Sequence, residues 1–263
     1  MKKYLYIFKS EIMSNLQYAF DILVGFIGYA VHIFIFLNLW QYIYSDPNEL
    51  INGYSMNQMI WYVIVTEIIW SALNGRKFNK RISEDVRTGN ISYNINKPYD
   101  YVEYIVSSHL GITTFKFILV TILGMALGYL FLGSFSNISL IGILCVLLSC
   151  FLSLLISIYL IIGLGLISFY IEDATPFYWV YSKLILVIGT LFPIEFFPTM
   201  IQPIIKYSPI FAVSIAPAKL FVDFNMNSFI STIIIQIGYL LISTLLVHLL
   251  YKKGVRKLNV NGG

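Results

Sequence analysis

Residues 138–168 read ISLIGILCVLLSCFLSLLISIYLIIGLGLIS, and no Asp, Glu, Lys, Arg or His interrupts them. A soluble domain could not bury such a run on every side. A spanning helix needs about 20 apolar residues, so this stretch exceeds one hydrocarbon thickness. It is expected to tilt, to kink near Gly163 and Gly165, or to project toward Glu172 and Asp173. Similar windows lie near 20–44, 56–73, 112–132, 178–200 and 228–251, which makes six expected spans. The fifth window is interrupted by Pro193, Glu195 and Pro198, so its second half need not cross.

Composition extends the same reading to the whole chain. Of 263 residues, 58% are apolar or aromatic and 11% charged, with a mean hydropathy of +0.79. Soluble domains are about half apolar and a quarter charged. In hydrocarbon a backbone must satisfy its own hydrogen bonds, and these runs are too long and unalternating for barrel strands. The expected class is an all-α integral membrane protein. Cys145 and Cys150 sit in one apolar run at a spacing that suits neither a metal pair nor a disulfide scaffold, and read as small buried hydrophobes. The net charge of +4 comes from basic loops, which favours anionic lipid headgroups over nucleic acid as a partner. The N-terminus has Lys2, Lys3 and Lys9 but no pattern of a removed signal peptide.

Lys and Arg set the orientation. Lys2, Lys3 and Lys9 precede the first span, Arg76, Lys77, Lys80, Arg81, Arg87 and Lys97 separate the second from the third, and Lys252, Lys253, Arg256 and Lys257 follow the sixth. With six crossings these segments share one side, so both termini are expected in the cytoplasm, with the chain in the plasma (inner) membrane. The opposite loops hold Asp46 and Glu49, then no charge in Gly133 to Asn137, then Lys206, Lys219 and Asp223.

Three segments outside the simple spans stand out. Residues 1–19 place Leu5, Phe8, Ile12 and Leu16 on one face and Lys3, Ser10, Ser14 and Gln17 on another. That pattern suits an interfacial helix that turns into the membrane at Asp21, or an extension of the first span. In 75–98, Phe78, Ile82 and Val86 recur every fourth residue among Lys80, Arg81, Glu84, Asp85 and Arg87. Gly89 stands where a helix would end, Gly89 and Asn90 make a turn, and Lys97, Pro98 and Tyr99 lead back to the membrane. In 193–222, prolines at 193, 198, 203, 209 and 217 break an apolar stretch into expected short helical pieces that dip back into the outer leaflet, or into a kinked span and a loop.

No Gly-rich phosphate loop ending in Lys and Ser or Thr is present, so the chain does not bind nucleotide by that route. His32, His109 and His248 are scattered, no carboxylate joins them at metal-ligand spacing, and no nucleophile sits in a recognisable setting. Ionisable groups inside the membrane are functional candidates by default. His32, Glu67 and Glu195 either line a polar pathway, are tied to neighbouring helices or sit close to an interface. Lys116 can carry its amine back to water along its own stem. Gly124 and Gly128 form a small-xxx-small pair, common in membrane helices whether or not they dimerise.

The run Glu84-Asp85-Val86-Arg87-Thr88-Gly89-Asn90-Ile91 with the following Lys97-Pro98 resembles the cytoplasmic loop of ABC-2 type bacterial permeases, the membrane subunits of ATP-binding cassette transporters. The layout is similar over almost the whole chain. The resemblance implies a single ABC-2 transmembrane domain over 1–263, with six spans, an N-terminal interfacial helix and a re-entrant segment before the last span. It implies a dimer with an identical or related permease and with two separate ATPase subunits that bind ATP and Mg, this chain holding no cofactor and catalysing nothing. It carries an ATPase-coupling role to Phe78, Ile82, Glu84, Asp85, Val86, Arg87, Gly89, Asn90, Lys97 and Pro98. Ile82 and Val86 would anchor that contact, and the charges would rim it. The first, second and fifth spans would line a cavity for a hydrophobic or amphipathic substrate, a lipid, peptide or drug, that is exported. The alternative, an ion-gradient-driven secondary transporter, would need a midplane ion site and inverted repeats, and neither is evident. A membrane scaffold or immunity protein is a third reading.

Overall fold

The computed structural model describes residues 2–17, 19–46, 49–73, 75–133 and 138–261, the side chains of 19–23 and 258–261 excepted. In chain order its helices are α1 (Lys2–Leu16), α2 (Ala19–Ile43), α3 (Met56–Leu73), α4 (Gly75–Arg87), α5 (Asn90–Ile95), α6 (Tyr101–Leu132), α7 (Leu140–Leu166), α8 (Thr175–Leu184), α9 (Gln202–Lys206), α10 (Ala216–Val222) and α11 (Met226–Asn261). Short 3-10 turns occupy Ile167–Phe169 and Ile194–Phe196, and π-helical segments occupy Ile185–Thr190 and Phe211–Ile215. The described residues are helical or irregular, with one isolated bridge, Ile51 to Tyr54, closing a turn whose Asn52 and Gly53 have φ of 51° and 85°.

Among the described residues four stretches are long and apolar enough to cross a membrane: Val24–Ile43, Tyr101–Leu132, Leu140–Phe169 and Met226–Lys257. Their outward faces carry bulky apolar side chains such as Ile27, Ile122, Leu144 and Leu241. Water would not tolerate that surface, whereas acyl chains or another helix would. Two of the expected windows look different. The 56–73 window is α3, whose 18 residues make a rod about 27 Å long. Asn57, Gln58, Thr66 and Glu67 dilute its apolar character. It is buried without interruption from Met59 to Ile69, packed among α2, α6, α7 and α10.

The 178–200 window is not one helix. It runs through α8 and a π-helical segment and stops at Thr190, ahead of Pro193, because proline lacks an N–H and clashes with the preceding turn. The carbonyls thereby released find donors elsewhere. The Tyr62 hydroxyl donates to Gly189 O at 2.8 Å and lies 3.3 Å from Phe192 O. The second π segment is served likewise: Gln236 Nε2 donates to Ala212 O at 2.9 Å, and the Ser153 hydroxyl donates to Val213 O. Irregular backbone within an apolar bundle survives only with such partners. The proline region is thus a set of short helical pieces, as expected, and Phe211 through Leu220 is buried in this chain except at half-buried Lys219.

Helix ends follow local chemistry. Ser55 and Gln58 form a reciprocal capping box ahead of α3, Ser55 N to Gln58 Oε1 at 3.0 Å and Gln58 N to Ser55 Oγ at 3.3 Å. Asp100 caps α6 by accepting from Glu103 N, and Gly133 ends it at φ 68°. This helix begins eleven residues before the expected 112–132 window and, at 32 residues, is about 48 Å long, so it extends well past a hydrocarbon layer. The loop expected at Gly133 to Asn137 lies, beyond Gly133, outside the described residues. α7 passes Gly163 and Gly165 without a break. Gly165 serves instead as a contact point, since a Cβ there would stand 2.8 Å from Ile82.

The glycine pair of α6 is occupied within the chain. A Cβ at Gly124 would meet the Tyr29 hydroxyl and Ile68, and one at Gly128 would meet the Trp61 ring. These two absences let α3 and α2 approach α6 closely. α1 lies along α6 with Tyr4, Ile7, Phe8, Glu11, Ile12 and Asn15 turned inward, while Leu5, Met13 and Leu16 remain exposed. The expected apolar face of Leu5, Phe8, Ile12 and Leu16 is therefore divided between protein and surroundings. α2 begins at Ala19, two residues before the expected entry at Asp21.

Candidate coupling surface and buried charge pairs

α4 carries one apolar stripe and one charged one, and the sequence of its contacts decides what each does. Gly75, Phe78, Asn79, Ile82, Ser83 and Val86 are buried. The Phe78 ring stacks on the His109 ring of α6, and Ile82 fills the place left open by Gly165 of α7. The missing side chain of Gly75 admits Tyr178 of α8 and Ile161 of α7. The Ser83 hydroxyl bonds to that of Ser168 and accepts from Ala174 N at 3.3 Å, while Asn79 Nδ2 reaches Ile161 O at 3.4 Å. An amphipathic helix lying beside an apolar bundle buries its apolar stripe in that bundle. Ile82 and Val86, expected to anchor a contact with another subunit, are together with Phe78 buried in this chain.

What α4 offers outward is polar. Arg76, Lys77, Lys80, Glu84, Arg87 and Thr88 are exposed. Lys80 and Glu84 pair at 3.6 Å one turn apart. Asp85 is held back, accepting from the Tyr101 hydroxyl at 2.9 Å, and Arg81 donates to the Tyr104 hydroxyl at 3.1 Å. Gly89 takes φ 76°, the left-handed conformation a helix stop needs, and exposed Asn90 opens α5. Lys97 lies 4.3 Å from the Tyr93 ring centroid and donates to Asn94 Oδ1 at 3.3 Å. The neighbouring Tyr99 hydroxyl raises its pKa above the ordinary lysine value. Pro98 O accepts from Lys3 Nζ of α1, and Asp100 N donates to the Tyr4 hydroxyl at 3.0 Å. Further along, the Ser108 hydroxyl donates to Glu11 Oε1 at 2.6 Å. The N-terminal helix therefore clasps the end of the 75–98 segment.

The intramembrane candidates separate into two clusters. His32 Nδ1 of α2 lies 3.6 Å from Glu67 Oε2 of α3. Toward the end of α3 remote from α4, Glu195 Oε2 accepts from the Tyr54 hydroxyl at 3.0 Å, and Glu195 Oε1 pairs with Lys219 Nζ. Burial, then the Glu195 carboxylate, drives the Tyr54 pKa far above its ordinary value. Trp40 meets Phe192 and Phe196 edge-on at 5.9 and 5.7 Å and closes this cluster from one side. Sequence reading does not mark Tyr54, and it counts Lys219 only among the outer-loop charges, although Lys219 is a charge in an otherwise apolar run. Cys150 is buried and Cys145 half-buried, both as free thiols.

These features make a helical membrane body with one amphipathic helix docked at its basic end. Comparison with protein families finds a match to the one described as ABC-2 family transporter protein over residues 26–262, nearly the whole chain. The chain belongs to the ABC-2 transporter family. A comparison with curated proteins finds no match. As an ABC-2 protein it is a membrane-embedded permease component of a transport system. The docked α4 and the clasp from α1 are thus features of an ABC-2 permease.

Proposed function

We propose that this ABC-2 permease is the membrane half of an exporter driven by two separate ATPase subunits, which bind ATP and Mg, and that it works beside a second identical or related permease. It lies in the plasma membrane with both termini in the cytoplasm. The four long helices cross, and so do α3 and the α8 segment, giving six crossings. The pieces from Ile194 to Val222 re-enter the outer leaflet, and α1 lies at the inner surface. The substrate is hydrophobic or amphipathic and leaves from the cytoplasm or inner leaflet.

One observation carries this reading: α4 is fixed to α6, α7 and α8 by Phe78, Ile82, Gly75 and Ser83 while its charged side stays open. A soluble motor that grips the open side would move the bundle as one piece, because the buried side cannot slide. Lys80, Glu84, Arg87, Thr88 and Asn90 form the contact, and Phe78, Ile82 and Val86 pass its motion inward. Lys97 and Pro98 set the return to the membrane.

The test is to purify the permease with the ATPase encoded beside it and to measure ATP hydrolysis in liposomes. Lys80→Glu with Arg87→Glu should abolish co-purification while each chain remains folded. A cysteine at Lys80 that reacts with a membrane-impermeant maleimide from outside intact cells would refute the orientation and with it the coupling role.

A further inference from the structure

Glu67 is the most buried carboxylate among those in described ion pairs: its side chain is 2% exposed, whereas His32 beside it is 62% exposed. The Oε2 atom of Glu67 has no hydrogen-bond partner among the described residues, and neither has the buried Tyr29 hydroxyl. Tyr29 stands one turn before His32 on α2. Phe36, half-buried, stands one turn after it. A carboxylate held in hydrocarbon without full hydrogen bonding is costly, and a pair bond to a single imidazole at 3.6 Å offsets only part of that cost. A purely structural ion pair would be expected to bury both partners and satisfy both oxygens. Here the acid is enclosed while its imidazole partner lies exposed on the outward face of α2.

From this asymmetry we infer that Glu67 is a recognition site for the cationic group of an amphipathic ligand, with His32 as the resident countercharge that the ligand displaces. The ligand enters sideways across the exposed face of α2. Its amine or onium head reaches Glu67, the rings of Tyr29 and Phe36 flank the positive charge, and its apolar part stays among the outward side chains of α2 such as Val31 and Ile35. This inference rests on the transport reading above and narrows its substrate class to lipophilic cations. The Glu195 cluster offers no equal, since both oxygens of that carboxylate are engaged by Tyr54 and Lys219.

The test uses the purified permease in lipid nanodiscs without any ATPase, so it is independent of the coupling proposal. Binding of radiolabelled tetraphenylphosphonium is measured against empty discs, with uncharged triphenylphosphine oxide as competitor. The wild type should bind saturably. Glu67→Gln, of equal size, should weaken binding at least tenfold, and the surface control Glu172→Gln should not. His32→Gln should tighten binding, because the competing cation is gone. Absence of saturable binding, equal binding in Glu67→Gln, efficient competition by the neutral oxide, or binding no tighter in His32→Gln would each overturn the assignment. Co-purification with the ATPase would be unaffected by any of these outcomes.

Discussion

The ring of Phe78 lies flat against the ring of His109, with centroids 3.7 Å apart and planes 6° from parallel. His109 is itself fully buried and bonded through Nε2 to Leu73 O, so the stack joins α4 to α6 just where the chain leaves α3. Phe78→Ala should destabilise the permease by about 3–5 kcal/mol, as for other buried aromatic deletions. A thermal unfolding scan in detergent reads this directly. A loss under about 1 kcal/mol would mean that the stack is not formed.

Gly165 and Gly163 make a matched pair of controls. A Cβ at Gly165 would meet Ile82 at 2.8 Å, whereas at Gly163 the nearest atom is Val247 Cγ2 at 3.4 Å. Gly165→Ala should cost about 1–3 kcal/mol by overpacking. Gly163→Ala should be neutral or gain up to about 1 kcal/mol from helix propensity. Equal midpoints for the two variants would count against close docking of α4 on α7.

Tyr62 tests the irregular backbone. Tyr62→Phe keeps the ring and removes the donor to Gly189 O and Phe192 O. Two carbonyls in a dry setting would then lack that partner, at a cost of about 1–3 kcal/mol. Hydrogen exchange should rise over residues 185–192 more than over α7. Uniform exchange in the variant would argue that water already serves these carbonyls.

Alkaline pH probes the Tyr54 site. Its folded-state pKa is raised above the ordinary phenol value of 10.0 by burial and by Glu195. Below that value both folded and unfolded chains hold the proton, and this group adds no pH dependence. Above it the unfolded chain releases the proton first, so stability falls as pH rises. Between about pH 9 and 11 the unfolding midpoint of the wild type should decline more steeply than that of Tyr54→Phe. Parallel curves would contradict the buried phenol.

The charged face of α4 should be dispensable for folding. Lys80→Glu with Arg87→Glu alters exposed positions and breaks one pair spaced at a helical turn, worth about 0.3–0.5 kcal/mol. The midpoint should barely move while ATPase binding is lost. A large drop in stability would show that this face is packed after all.

Much of this architecture is legible in sequence, and the exceptions share a cause. Long charge-free runs can only be membrane helices, and a glycine after an amphipathic turn can only be a stop, so residues 140–166 and Gly89 read correctly. The spacing of Phe78, Ile82 and Val86 gave a helix, but spacing does not say which body covers its apolar side. Asn79 and Ser83 on the same stripe hinted at hydrogen-bonded burial, and their partners Ile161 and Ser168 are far along the chain. The His32 to Glu67 pair is equally invisible, because it depends on the register between α2 and α3. α3 itself is hard to weigh from hydropathy, since a helix enclosed by other helices can carry polar residues that a lipid-facing one cannot.

A helix can be approached at backbone distance only along a strip where side chains are missing, and α6 has committed that strip at Gly124 and Gly128 to the Tyr29, Ile68 and Trp61 side chains of its own chain. Its remaining outer surface is studded with Ile118, Ile122, Leu130 and Phe131, shapes that fit fluid acyl chains better than a neighbouring backbone. A second protein could therefore not bring its backbone against α6 at these two positions. Bulky replacements at these two glycines would accordingly injure each molecule singly, before any question of partnership arose.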